Sequence, residues 1–256
     1  MKDTGSIPFT RLVKVEFRKM VDTRAGLWLL IVTGALTALA MVIAAIVSIT
    51  QDQEISFNAY LQTCAYTSGI LLPVLGIMLV TQEWGQRTAM VTFVLEPKRS
   101  RVILAKLVTG VLLAWLVVLL AFVVAALANL VAALGRGVSP AWDFSWHFVL
   151  AFLFTQTFAM LVGFALAALL LNTPAAIVLF FVATFVLPLV VTTVSLVAWH
   201  GLADLQPWFD YSISQGLLLL DEMKGETWAQ LGVTTLLWVG LPVTLGMLRI
   251  TRAEVK

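Results

Sequence analysis

Charge is what this sequence has least of: Asp, Glu, Lys and Arg make up 12% of its 256 residues, against roughly 25% in soluble globular domains. A soluble globular fold is excluded on that ground. Cysteine is nearly absent too. The single Cys64 rules out an internal disulfide framework and any Cys-rich metal site. The two histidines, His147 and His200, have no carboxylate cluster near them in sequence and receive no role. No phosphate-loop, HExxH or GxSxG motif occurs, so the chain offers no nucleotide site, no metalloprotease helix and no serine nucleophile elbow. It is expected not to be an enzyme, and to hold no metal or cofactor. There is no internal repeat and no low-complexity tract.

What fills the chain is hydrophobic residues, 61% of the total. Apolar runs long enough for the roughly 20 helical residues that cross a bilayer core occupy Gly26 to Ile49, Phe57 to Val80, Val102 to Leu134, Trp146 to Leu171, Pro174 to Trp199 and Trp228 to Leu248. The reading is therefore an all-α integral membrane protein with six transmembrane helices in one domain spanning the whole chain. The first run is longer than a signal peptide's apolar core and has no convincing cleavage site before Gln51, so it is read as a permanent span.

Lys and Arg set the orientation, because short loops keep them on the cytoplasmic side. Lys2, Arg11, Lys14, Arg18, Lys19 and Arg24 precede the first span; Arg87, Lys98, Arg99, Arg101 and Lys106 lie around the second connection; Arg249, Arg252 and Lys256 close the chain. In a six-span chain these all share one side, and only Arg136 and Lys224 fall on the other. Both termini are expected in the cytoplasm, with Trp142, Trp146, Trp199, Trp208 and Trp228 at the outer interface.

Two segments outside the spans carry pattern. From Ile7 to Arg24, Phe9, Leu12, Val13, Phe17, Met20 and Val21 share one helical face, with Arg11, Lys14, Arg18 and Lys19 largely opposite. This predicts an amphipathic helix lying in the membrane surface. Between spans five and six, "GLADLQPWFDYSISQGLLLLDEMKGE" is too apolar for a free loop and too interrupted to span, and reads as short re-entrant outer helices.

Span interiors hold hydroxyls and amides, among them Thr63, Thr67, Asn129, Gln156, Thr184 and Thr192, read as helix-to-helix hydrogen bonding. Lys106 is expected to snorkel to the cytoplasmic surface. Without an intramembrane charge, coupling to an ion gradient lacks its usual groups, and energy for any transport has to arrive from elsewhere. Gly34 and Ala38 form a small-xxx-small pair on span one, a candidate dimer interface.

The second connection, Gln82 to Arg101, is where such energy can enter. Glu83 stands four residues before Arg87, the favourable order for a helical ion pair. Met90, Phe93 and Val94 then form an i, i+3, i+4 ridge with no lipid core to cover it, and Pro97 ends the helix. A ridge of this kind fits a groove on a soluble partner.

With Glu83, Thr88 and "LEPKRSRVILAKL", containing Pro97, Arg99, Arg101 and Lys106, the chain resembles the permease subunits of type 2 ATP-binding cassette transporters. Arg87 stands where that family has glycine. "FRKMVDTRAGLWLL" resembles the actinobacterial permeases. The resemblance implies an exporter subunit in a bacterial inner (plasma) membrane, dimeric with a second copy or a related permease. It implies separate ATPase subunits that bind ATP and magnesium and dock on the segment after span two. It also implies a translocation route lined by Tyr60, Thr63, Thr67 and Met78 of span two and by Thr184, Pro188 and Thr192 of span five. The expected cargo is a drug-like, lipid or peptide amphiphile; nucleic acid is not an expected partner. A different class also fits the residues: a non-transporting scaffold or sensor whose cytoplasmic helix recruits a regulator.

Overall fold

The computed structural model describes residues 7–86, 94, 96 and 98–252, and the described chain is helical with no strand. Of the expected coupling segment, Arg87, Thr88, Met90, Phe93 and Pro97 lie outside the described residues. Helix α1, Phe9–Asp22, turns sharply into α2, Arg24–Thr50, and α3 covers Phe57–Gly85. Then come α4, Arg99–Arg136, and α5, Trp146–Leu170. The fifth long helix is composite: α6, Thr173–Phe181, a π-helical turn at Val182–Val186, and α7, Leu187–Val197. Short elements follow: α8 at Gly201–Leu205, a 3-10 turn at Gln206–Trp208 and α9 at Tyr211–Leu219. The sixth is also composite, with α10 at Gly225–Thr235, a π turn at Leu236–Gly240 and α11 at Leu241–Arg252. Six helices are thus long and apolar enough to cross a membrane.

Local chemistry explains the boundaries. Thr23, Ser56, Ser145 and Asn172 each accept a backbone N–H of the helix they precede, the capping that satisfies an otherwise orphaned donor. Gly137, at φ 68°, ends α4 in the left-handed conformation that glycine adopts without penalty. The two π turns have one cause. Pro188 and Pro242 lack an N–H and their rings press on the carbonyl four residues back. In both helices the turn before the proline widens, so that Leu187 donates to Val182 and Leu241 to Leu236.

Spans two and four, α3 and α5, form the centre, each with 61% of its membrane-length window buried, against 17% for span five. Their seam is close because small residues meet backbone: a Cβ on Gly163 would overlap the Pro73 carbonyl, and one on Gly76 the Met160 carbonyl. At the end of the bundle where α1 lies, Met20, Leu75, Ile77, Met160, Phe164 and Phe180 make one core. Toward the opposite end Met41, Tyr60, Leu61, Ala125, Phe152 and Leu218 make another. There Asp143 accepts from the Phe57 N–H at 2.6 Å and Asp52 pairs with Arg136 at 3.0 Å. Met20 is not on a lipid-facing surface as the amphipathic reading expects. It is 1% exposed, and α1 turns it into the protein, where the missing Cβ of Gly26 lets the next helix pass against the Met20 carbonyl.

Candidate functional site

Two places gather polar groups inside the apolar bundle. The first is a closed ring of charge at the α1 end. Along α1, Val13, Glu16 and Met20 follow i, i+3, i+7 spacing, so one carboxylate stands in the middle of the helix's inward face. Glu16 Oε2 accepts from Lys106 Nζ at 2.6 Å, and its Oε1 accepts from Lys19 Nζ at 2.7 Å. Glu83, in the last turn of α3, completes the ring through Lys19 at 2.5 Å and Lys106 at 3.3 Å. Lys106 also donates to the Leu79 carbonyl at 3.1 Å.

Lys106 therefore does not snorkel. Glu16, Glu83 and Lys106 are all buried. Burial pulls the Lys19 ammonium down, but Glu16 and Glu83 outweigh it and hold its pKa above the ordinary lysine range. Isolated charges here would each cost several kcal/mol in lost hydration. Two acids and two bases sharing a ring offset that cost, and the geometry holds only while α1, α3 and α4 stay together. Thr109 adds a hydrogen bond to the Val13 carbonyl at 3.3 Å.

Of the sequence-expected coupling residues, Glu83 is part of this ring, while Val94 is exposed. Arg101 is held by the protein's own groups. It pairs with buried Glu96 at 2.9 Å and donates to the Ile7 carbonyl at 2.6 Å, so it ties the start of α4 to the segment before α1. Arg99 donates to the Ile250 carbonyl at 2.9 Å, and Arg249 to that of Leu169, which ties the sixth helix to the same end. Arg11, Lys14 and Arg18 are exposed on α1, whereas Lys19 turns into the ring. Glu16 is a ring residue that the split of α1 into a basic and an apolar face does not reveal, because that split has no place for one acid. Its register with Val13 and Met20 was the available signal.

The second place is a cavity of about 160 Å³ between α3, α5, the π turn of the fifth helix and α9. Gly69, Gln156, Thr184, Tyr211 and Gln215 line it. Thr184 Oγ1 and the Tyr211 hydroxyl are 2.9 Å apart. Burial pushes the Tyr211 phenol up to about 12. Gln156 Nε2 donates to the Ala65 carbonyl at 2.8 Å, the helix-to-helix bond expected of it. Only Thr184 of the proposed route residues lines this cavity. Tyr60 is in the core, Thr63 and Thr67 donate to the carbonyls of Ala59 and Thr63 in their own helix, and Met78 packs beside the core of the α1 end. Thr192 donates to Gln206 Oε1 at 3.2 Å, linking the fifth helix to the short elements after it. Pro188 lies one turn beyond the cavity and sets the π turn that presents Thr184. Gly34 and Ala38 are exposed on α2, and a Cβ on Gly34 would meet nothing.

Six helices long and apolar enough to cross a bilayer define the chain as a multi-pass helical membrane protein. No family model matches it, and no curated protein is similar to it.

Proposed function

We propose that this chain is the membrane-spanning permease subunit of an ATP-driven exporter, working as a dimer and coupled to a separate ATP-binding cassette ATPase. The reading places the α1 end of the bundle in the cytoplasm, on the lysine and arginine count. It takes the cell membrane, in bacteria the inner membrane, as its site, and an amphiphile as its cargo.

The observation that carries it is the Glu16–Lys106–Glu83–Lys19 ring. The connection between α3 and α4 is where an ATPase would push. A push moves the spans only if the two helix ends flanking that connection are stiffly joined, and the ring joins both of them to α1 through buried ion pairs. Glu83 sits in the last turn of α3 and Lys106 in the second turn of α4, so displacement of the connection is passed to three helices together.

The test is purification in mild detergent, identification of the ATPase that travels with the chain, and reconstitution of the pair. Hydrolysis is expected to rise on reconstitution. Glu83→Gln leaves two ammonium groups facing Glu16 alone, and is expected to keep hydrolysis while transport falls at least about tenfold, a loss of roughly 1.4 kcal/mol of coupling. If no ATPase co-purifies and hydrolysis by candidate ATPases is indifferent to the chain, the exporter reading is wrong.

A further inference from the structure

We propose that the cavity between α3, α5, the π turn and α9 is a binding site for a small uncharged group carrying both a hydrogen-bond donor and an acceptor, such as a carboxamide, at the head of an amphiphile.

Unsatisfied polar atoms in its wall are the first ground. Gln156 is 1% exposed, and with Nε2 committed to the Ala65 carbonyl its Oε1 is left without a donor. Gln215 Nε2 is buried without an acceptor. Buried polar atoms are nearly always partnered, and each exception calls for an explanation. Both residues line the one cavity, and a small turn of each side-chain amide would bring one acceptor and one donor to the N–H and C=O of a bound amide.

The prolines supply the second ground. Pro73 has no N–H for the carbonyl of Gly69, and Pro188 none for that of Thr184. Both residues line the cavity, and the carbonyl of each lacks its usual i+4 donor.

Charge and size then narrow the ligand. Among the described residues no charged side chain lines the cavity. Nearby Asp210 is buried and accepts from Ser212 and Gln206, and its charge disfavours an anion in the cavity. The volume of about 160 Å³ is close to the roughly 150 Å³ cavity that admits benzene. On the rim Tyr66, Ile70 and Phe185 are exposed, which gives access from the bilayer side to a ligand whose tail stays in lipid.

The inference goes beyond the exporter reading and is tested without an ATPase. Binding of para-fluorobenzamide, para-fluorotoluene and para-fluorobenzoate to the purified full chain in detergent is followed by fluorine NMR. The benzamide is expected to bind saturably, about tenfold or more tighter than the benzoate. Gln156→Leu should weaken the benzamide about three- to tenfold, one neutral hydrogen bond, and leave the toluene unchanged or tighter. Gly69→Leu fills the cavity from a position where a Cβ makes only ordinary contact with Gln156, and should abolish saturable binding of both. It decides the matter if Gln156→Leu is not monodisperse. Benzamide binding that survives Gly69→Leu, equal binding of benzamide and toluene to the unaltered protein, or no saturable benzamide binding overturns the proposal.

Discussion

Glu16 has one role at residue scale: it is the only acid that reaches Lys106 and Lys19 from α1, at 2.6 and 2.7 Å. Removing one member of a buried ion cluster leaves its partners uncompensated, which costs about 3–5 kcal/mol. Glu16→Gln should therefore lower the thermal midpoint of the purified protein sharply. Lys106→Met on that background removes the stranded ammonium and should restore much of the loss. A double variant no more stable than the additive sum would show that the two side chains do not interact. Arg18 and Asp22 make the contrast: their ion pair, at 3.5 Å, is largely exposed and is worth at most about 1 kcal/mol.

At the scale of elements, the bundle is built around one seam and two widened turns. Gly163 lies where α5 crosses Pro73 of α3, with no room for a Cβ. Gly163→Ala should destabilise by about 1–3 kcal/mol, the usual cost of overpacking. Gly34→Ala, on an open face of α2, should be neutral to folding. Chemical unfolding of the two variants in the same detergent measures the difference, and equal stabilities would mean that the seam is not closely packed in the membrane. Gly34→Leu carries the dimer proposal: the protomer should fold normally and lose self-association in gel filtration, and an unchanged dimer would remove Gly34 from the interface. The widened turns account for the composite fifth and sixth helices. An interior proline either breaks a helix or shifts its hydrogen bonds, and here the shift turns Thr184 toward Tyr211.

For the whole molecule, orientation is the property on which the functional reading depends. Arg11 and Arg18 are both exposed on α1. Single cysteines at these positions, on a Cys64→Ser background, should react with a membrane-impermeant reagent in inside-out vesicles and stay protected in intact cells. Reaction in intact cells would invert the molecule and remove the ATPase-facing role of the ring. Much of this scale was legible in the chain itself. Six apolar runs and a helical stretch ahead of them are one-dimensional patterns, and hydropathy against a bilayer of fixed thickness turns such patterns into helices; the inward side of α1 was not among them, since Met20 faces the protein.

Six membrane-length helices, a helix ahead of them and the prolines that remove particular hydrogen bonds were legible in the chain, because each depends on residues close to one another along it. Tertiary structure alone decided that Glu16, Lys19, Glu83 and Lys106 close a ring, and that Gln156, Thr184 and Gln215 share a cavity while Thr63 and Thr67 do not. Those outcomes depend on the rotation of each helix about its axis. In a chain this apolar, nearly every face of a span is hydrophobic, so periodicity does not distinguish inside from outside. The rotations are set by where small residues such as Gly76 and Gly163 let backbones approach and by where buried charges find their opposites.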